Sequence, residues 1–131
     1  MIEKIINRTY KQGQHLTEVV YEFQPHITIS IEEAERFLTK VVKAIKVKET
    51  HRHINNLPPG FDILCGLKES CLYFGYWPEH QYVRFMASSC KKFDTEIIVD
   101  VIREVFNLTN TIYKDTRCDC SIKTKVGSLW C

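Results

Sequence analysis

The sequence predicts an α+β domain: a two-layer α/β sandwich with a mostly antiparallel sheet and two helices on one of its faces. Three observations lead to that class. Two stretches, one after Ser30 and one after Asp94, repeat apolar residues at helical spacing. Around and between them lie short runs rich in β-branched and aromatic residues, the composition of strands. Strands grouped between two amphipathic helices pack best with both helices on the same sheet face. A chain of 131 residues is the size of a single core, so the domain is taken as 1–131.

The elements follow in order. His15 to Phe23 (HLTEVVYEF) is a strand with partial alternation, and Pro25 lies in the connection that follows. Ser30 begins a helix, and Glu33 three residues later completes a capping box. Ile31, Ala34, Phe37, Leu38, Val41, Val42 and Ile45 form its buried stripe, and Lys43, Lys46 and Lys48 gather at its negative end. Residues 48–55 (KETHRHIN) read as a strand overlapping that end. Leu57-Pro58-Pro59-Gly60 is a turn, since proline fixes φ and glycine accepts either sign. Strands follow at 61–67, 71–77 and 82–89, with a turn at 78–81. A second helix spans 94–106 with Ile97, Ile98, Val101, Ile102, Val105 and Phe106 inward, stopped by Asn107. A last strand covers 111–123, and the tail to Cys131 is unassigned.

Composition narrows the function. The charge of +2 comes from interspersed signs, which gives nucleic acid or a membrane surface no electrostatic handle. No apolar run is long enough to span a bilayer, and MIEKIINRTYKQ has no signal-peptide core, so the expectation is a cytoplasmic protein. The six cysteines then read as reduced thiols. Cys118-Asp119-Cys120 has no second Cys/His pair at finger-like spacing, so no metal is expected. The sequons at Asn7 and Asn107 carry no meaning in the cytosol.

The most informative stretch is 69–90, ESCLYFGYWPEHQYVRFMASSC. With GQHL at 13–16 and LPPG at 57–60, it resembles the bacterial S-adenosylmethionine decarboxylases. That family carries a GRHL start, an LP-x-G turn, an ESH-xxx-H-TWPE core and a later cysteine. The resemblance implies a self-cleaving protein of polyamine (spermidine) biosynthesis. The Glu69-Ser70 bond would break after attack of the Ser70 hydroxyl on the preceding carbonyl. A pyruvoyl group derived from Ser70 would then serve as cofactor, an electron sink for the carboxylate lost from S-adenosylmethionine. Cys90 would be the general acid toward the substrate carbon. Glu79 would hold ribose hydroxyls, beside Trp77. The resemblance also implies a homodimer, formed by covering the sheet face that the helices leave open.

Several positions depart from the family pattern. Gly75 stands where the processing histidine belongs, and glycine cannot move a proton. Asp62 replaces a serine that assists processing, Cys71 replaces the histidine after the cleaved serine, and Asn56 replaces the aromatic that stacks on adenine. On a regular strand Cys71, Tyr73 and Gly75 share a face, so Tyr73 can fill the imidazole's space. A phenol is a poor base at neutral pH. His80 falls on the opposite face by parity, and His15 reads as structural. Three functions stay open: the decarboxylase of S-adenosylmethionine; an uncleaved, non-catalytic homologue that binds a ligand or activates a catalytic paralogue; and a pyruvoyl decarboxylase of a small amino acid such as ornithine or arginine.

Overall fold

The computed structural model describes residues 15–68 and 70–121. The sequon at Asn7, Gly13 and Gln14 of the GQHL element, Glu69 and the tail to Cys131 lie outside the described residues. So does the end of the last predicted strand.

Among the described residues six strands and two helices form in the order expected: β1 (His15–Phe23), α1 (Ile31–Ala44), β2 (Glu49–Leu57), β3 (Gly60–Leu67), β4 (Cys71–Trp77), β5 (Tyr82–Ser89), α2 (Thr95–Phe106) and β6 (Ile112–Ser121). They make one sheet, ordered β2-β3-β4-β5-β1-β6, in which every pairing is antiparallel. The four central elements of the sequence form a meander, and β1 then inserts between β5 and β6. The fold is the α+β sandwich the pattern predicts.

Local chemistry fixes the helices. Glu33 N–H donates to Ser30 Oγ at 3.1 Å while Ser30 N–H donates to Glu33 Oε1 at 3.2 Å, so the capping box forms. Asp94 Oδ1 accepts from Glu96 N–H at 2.9 Å and starts α2. Asn107 ends it in the left-handed region, φ 49°. Ala34, Phe37, Leu38 and Val41 are buried as the spacing requires. Ile97 is only half-buried, because the inward arc of α2 centres on Ile98, Val101 and Ile102.

The core is aromatic at its centre. Phe37 on α1 meets Phe85 edge-on with centroids 4.9 Å apart, Phe106 at 5.2 Å and Phe74 at 5.7 Å. Val19, Tyr21 and Phe23 on β1 alternate into the same layer, as do Ile63, Phe74 and Phe85 on the meander. The intervening residues therefore point to the uncovered face. That face carries the motif residues.

Boundaries shift where tertiary contacts decide them. β2 runs 49–57, not 48–55: Lys46 adopts φ 58° and turns the chain out of α1. Pairing of Leu57 with Gly60 then extends the strand up to the Pro58-Pro59 turn. This edge strand is mostly exposed and is moored by Arg52. Its guanidinium reaches both Glu49 carboxylate oxygens at 2.7 Å, the Glu35 carbonyl at 3.1 Å and Thr39 Oγ1 at 3.2 Å. The 78–81 turn is a single 3-10 turn, Pro78–His80, with Gln81 left-handed at φ 47°. Strand parity therefore does not extend to His80. The reading of reduced thiols throughout fails at Cys120, which is disulfide-bonded. The 3.3 Å between the Cys118 and Cys120 sulfurs, side by side on the outer strand β6, is a non-covalent contact and not that bond. Cys65 and Cys71 are free thiols.

Candidate functional site

Ser70 sits at the hairpin between β3 and β4. Leu67 N–H donates to the Ser70 carbonyl at 2.8 Å, which ties the end of β3 to the residue that precedes β4. Ser70 is half-buried, and its hydroxyl lies against the Cys71 thiol. Burial, and secondarily the charge of Glu18, pushes that thiol's pKa up. Cys71 pairs with Ser88 across the sheet, so Cys90, two residues further and buried, stands at the same end of the sheet as Ser70.

Asp62, Gly75 and Arg84 form a row across three strands, because Asp62 pairs with Gly75 and Gly75 with Arg84. Glu22 and Tyr113 continue the row, Glu22 being paired with both Arg84 and Tyr113. The space over Gly75 is not empty. A Cβ there would lie 2.7 Å from the Tyr73 hydroxyl, and 2.7 and 2.8 Å from two ring carbons of Trp77. Tyr73 donates to Asp62 Oδ2 at 3.4 Å. Positions 62 and 75 are therefore linked: the phenol that fills the space over Gly75 is held by the carboxylate at position 62. Burial, reinforced by the Asp62 charge, raises the Tyr73 pKa, so the phenol keeps its proton at neutral pH.

Trp77 stacks obliquely on Tyr82, centroids 5.5 Å apart, and Tyr82 donates to Glu22. Below Trp77 lies a small pocket of about 60 Å³, lined by Asp62, Trp77 and Glu79 with Leu57, Gly60 and Phe61. Gly60 is required here: a Cβ would fall 2.2 Å from the Tyr76 carbonyl oxygen. The structure thus gathers Asp62, Gly75, Trp77 and Glu79 at one end of the open face, and Ser70, Cys71 and Cys90 at the other. Five residues of strand separate Ser70 from Gly75, about 16 Å. No side chain at position 75 reaches Ser70 of the same chain.

Sequence reasoning missed Arg84 and Glu22. Parity along YVRFMASS marks Arg84 as sharing a face with Met86, but only the strand register shows that this face borders Gly75. His15 behaves as a structural residue, with Nε2 2.5 Å from Asp119 Oδ1 across the β1–β6 pair. Among the described residues no group of three or more His, Cys, Asp or Glu side chains is placed to hold a metal, and no helix is long and apolar enough to cross a membrane.

A single antiparallel sheet with two helices on one face, and a polar row on the other, defines the class as an α+β sandwich domain. Its fold is similar to that of the adenosylmethionine decarboxylase from Aquifex aeolicus VF5. The two share a TM-score of 0.67 at 17% identity, over 87% of this chain and 97% of that one. The sequence profile of S-adenosylmethionine decarboxylase matches residues 14–117. The chain belongs to the S-adenosylmethionine decarboxylase family. No curated protein matches it in sequence.

Proposed function

We propose that this chain cleaves itself between Glu69 and Ser70 and acts, as a homodimer, as a pyruvoyl-dependent decarboxylase of S-adenosylmethionine or a related amino acid. The observation that carries this reading is the split site. Ser70 and Cys90 stand at one end of the open face, and the pocket of Asp62, Trp77 and Glu79 at the other. A second copy laid antiparallel over that face joins the two halves into complete sites.

The residues fit the group that the family implies, since Ser70 is present at the hairpin and only half-buried. The pyruvoyl carbonyl supplies an electron sink for loss of the substrate carboxylate. The protein's own residues do the rest. Asp62 accepts and Tyr73 donates where the imidazole is lost. Glu79 accepts hydrogen bonds from substrate hydroxyls or an ammonium group, and the Cys90 thiol holds the proton delivered to the substrate carbon. Arg84, set between Asp62 and Glu22, provides alternating charges suited to a zwitterionic amino acid.

Two other readings have observations in their favour. Rings closing over Gly75 favour an uncleaved, non-catalytic homologue that binds a ligand or activates a catalytic paralogue. The small pocket beside Glu79, with Asn56 in place of an adenine-stacking aromatic, favours a smaller substrate such as ornithine or arginine. Intact mass of the denatured protein, with Ser70→Ala alongside, separates the first two. The proposal expects fragments 1–69 and 70–131, absent in the variant. A single species of 15.4 kDa after long incubation overturns it in favour of the uncleaved homologue. Borohydride trapping with each amine then identifies the substrate of the cleaved form.

A further inference from the structure

On the helix side of the sheet, behind the β3–β4 hairpin, lies a cavity of about 170 Å³. Lys46, Lys48, Lys68 and Lys91 line it, over a floor that includes Val47, Leu67 and Ser89. Among the described residues no acidic side chain lines the cavity, and none of these lysines forms an ion pair with another described residue. Cations do gather at a helix C-terminus. That accounts for Lys46 and Lys91, because Lys91 Nζ donates to the Lys46 carbonyl at 2.7 Å, just past the end of α1. It does not account for Lys48 and Lys68. Their backbones are joined directly, Lys68 N–H to the Lys48 carbonyl at 2.9 Å, and like charges so placed repel. Ser89 is 1% exposed, and its Oγ accepts from Lys91 N–H at 3.0 Å, which leaves the hydroxyl proton for a further acceptor.

We infer that this cavity binds a small oxyanion of the phosphate class, held by the lysine ammonium groups and the Ser89 hydroxyl. The volume admits one tetrahedral anion and no large ligand. The bound charge offsets the repulsion between Lys48 and Lys68 and ties the hairpin carrying Ser70 to the end of α1. Because the cavity is on the helix side, a second copy covering the open face leaves it accessible.

Calorimetric titration of the full-length protein with inorganic phosphate, at constant ionic strength set by chloride, tests this. Saturable binding is expected, weakened at least tenfold in the Lys68→Gln/Lys91→Gln double variant. It should be unchanged in a Lys40→Gln/Lys114→Gln control, whose lysines sit in ion pairs elsewhere. Methyl phosphate in place of phosphate tells whether an ester or the free ion is preferred. Absence of saturable binding overturns the inference, as does equal weakening in the control. Ser70→Ala is titrated in parallel: phosphate binding there stands whether or not the chain cleaves itself, so failure of one proposal is distinguishable from failure of the other.

Discussion

Adding one methyl group at Gly75 probes whether the Tyr73 and Trp77 rings truly occupy the space over this residue. In Gly75→Ala the new Cβ meets the Tyr73 hydroxyl at 2.7 Å and Trp77 carbons at 2.7 and 2.8 Å. Ordinary contact begins near 3.4 Å, so both ring ends must retreat by about 0.7 Å. They are the far ends of side chains on a partly exposed face and have room to swing. The retreat breaks the 3.4 Å bond from Tyr73 to Asp62, worth about 1 kcal/mol. It also disturbs the Trp77–Tyr82 ring pair, worth about 0.5–1.5 kcal/mol. Replacing glycine in a strand returns about 0.5–1 kcal/mol of chain entropy. The net expectation is a loss of about 1 kcal/mol, or a Tm lower by about 4 °C. Urea unfolding of Gly75→Ala, Tyr73→Phe and the double variant measures it. The double variant should lose less than the sum of the two, because the Tyr73–Asp62 bond is lost only once and removal of the hydroxyl relieves its overlap with the new Cβ. A Gly75→Ala protein more stable than the parent would refute the placement of both rings.

At Gly60 the obstacle is backbone, and the outcome should be harsher. With a Cβ 2.2 Å from the Tyr76 carbonyl oxygen, Gly60→Ala is expected to cost about 2–4 kcal/mol by urea unfolding. Arg52→Ala releases β2 from α1 and should cost about 1–3 kcal/mol. The same pair sets an acid dependence. The hydrogen bond from Arg52 is the largest influence on Glu49 and lowers its pKa below the unfolded value of about 4.3. The pair's contribution is therefore full above that value and is lost as pH falls through the lower folded pKa, so melts recorded from pH 6 to 2 should show a steeper acid loss in the parent than in Arg52→Ala. Burial pushes the Cys65 thiol up to about 12. Iodoacetamide at pH 8 should spare Cys65 in the native protein and modify it in urea, as peptide mass mapping would show.

The sequence by itself determined the elements and the family. Apolar spacing, the Ser30/Glu33 box and the Asp94 cap define both helices, because capping and amphipathicity are local properties read three or four residues apart. The spacing of Glu69-Ser70, Trp77-Pro78-Glu79 and Cys90 marked the motif without any fold. Even the idea that Tyr73 fills the space at Gly75 follows from strand parity, since alternate residues share a face.

Register, faces and distances were decided only by the tertiary structure. That β1 lies between β5 and β6 depends on which strands bury each other's apolar faces, a long-range property that no local pattern encodes. This pairing puts Arg84 and Glu22 in line with Asp62 and Gly75. The bond from Tyr73 to Asp62 joins residues on neighbouring strands, and no spacing along the chain announces it. Nor does the sequence reveal that Ser70 and Gly75, five residues apart, lie too far apart to touch: a helix would bring such residues within about 8 Å, whereas an extended strand holds them about 16 Å apart.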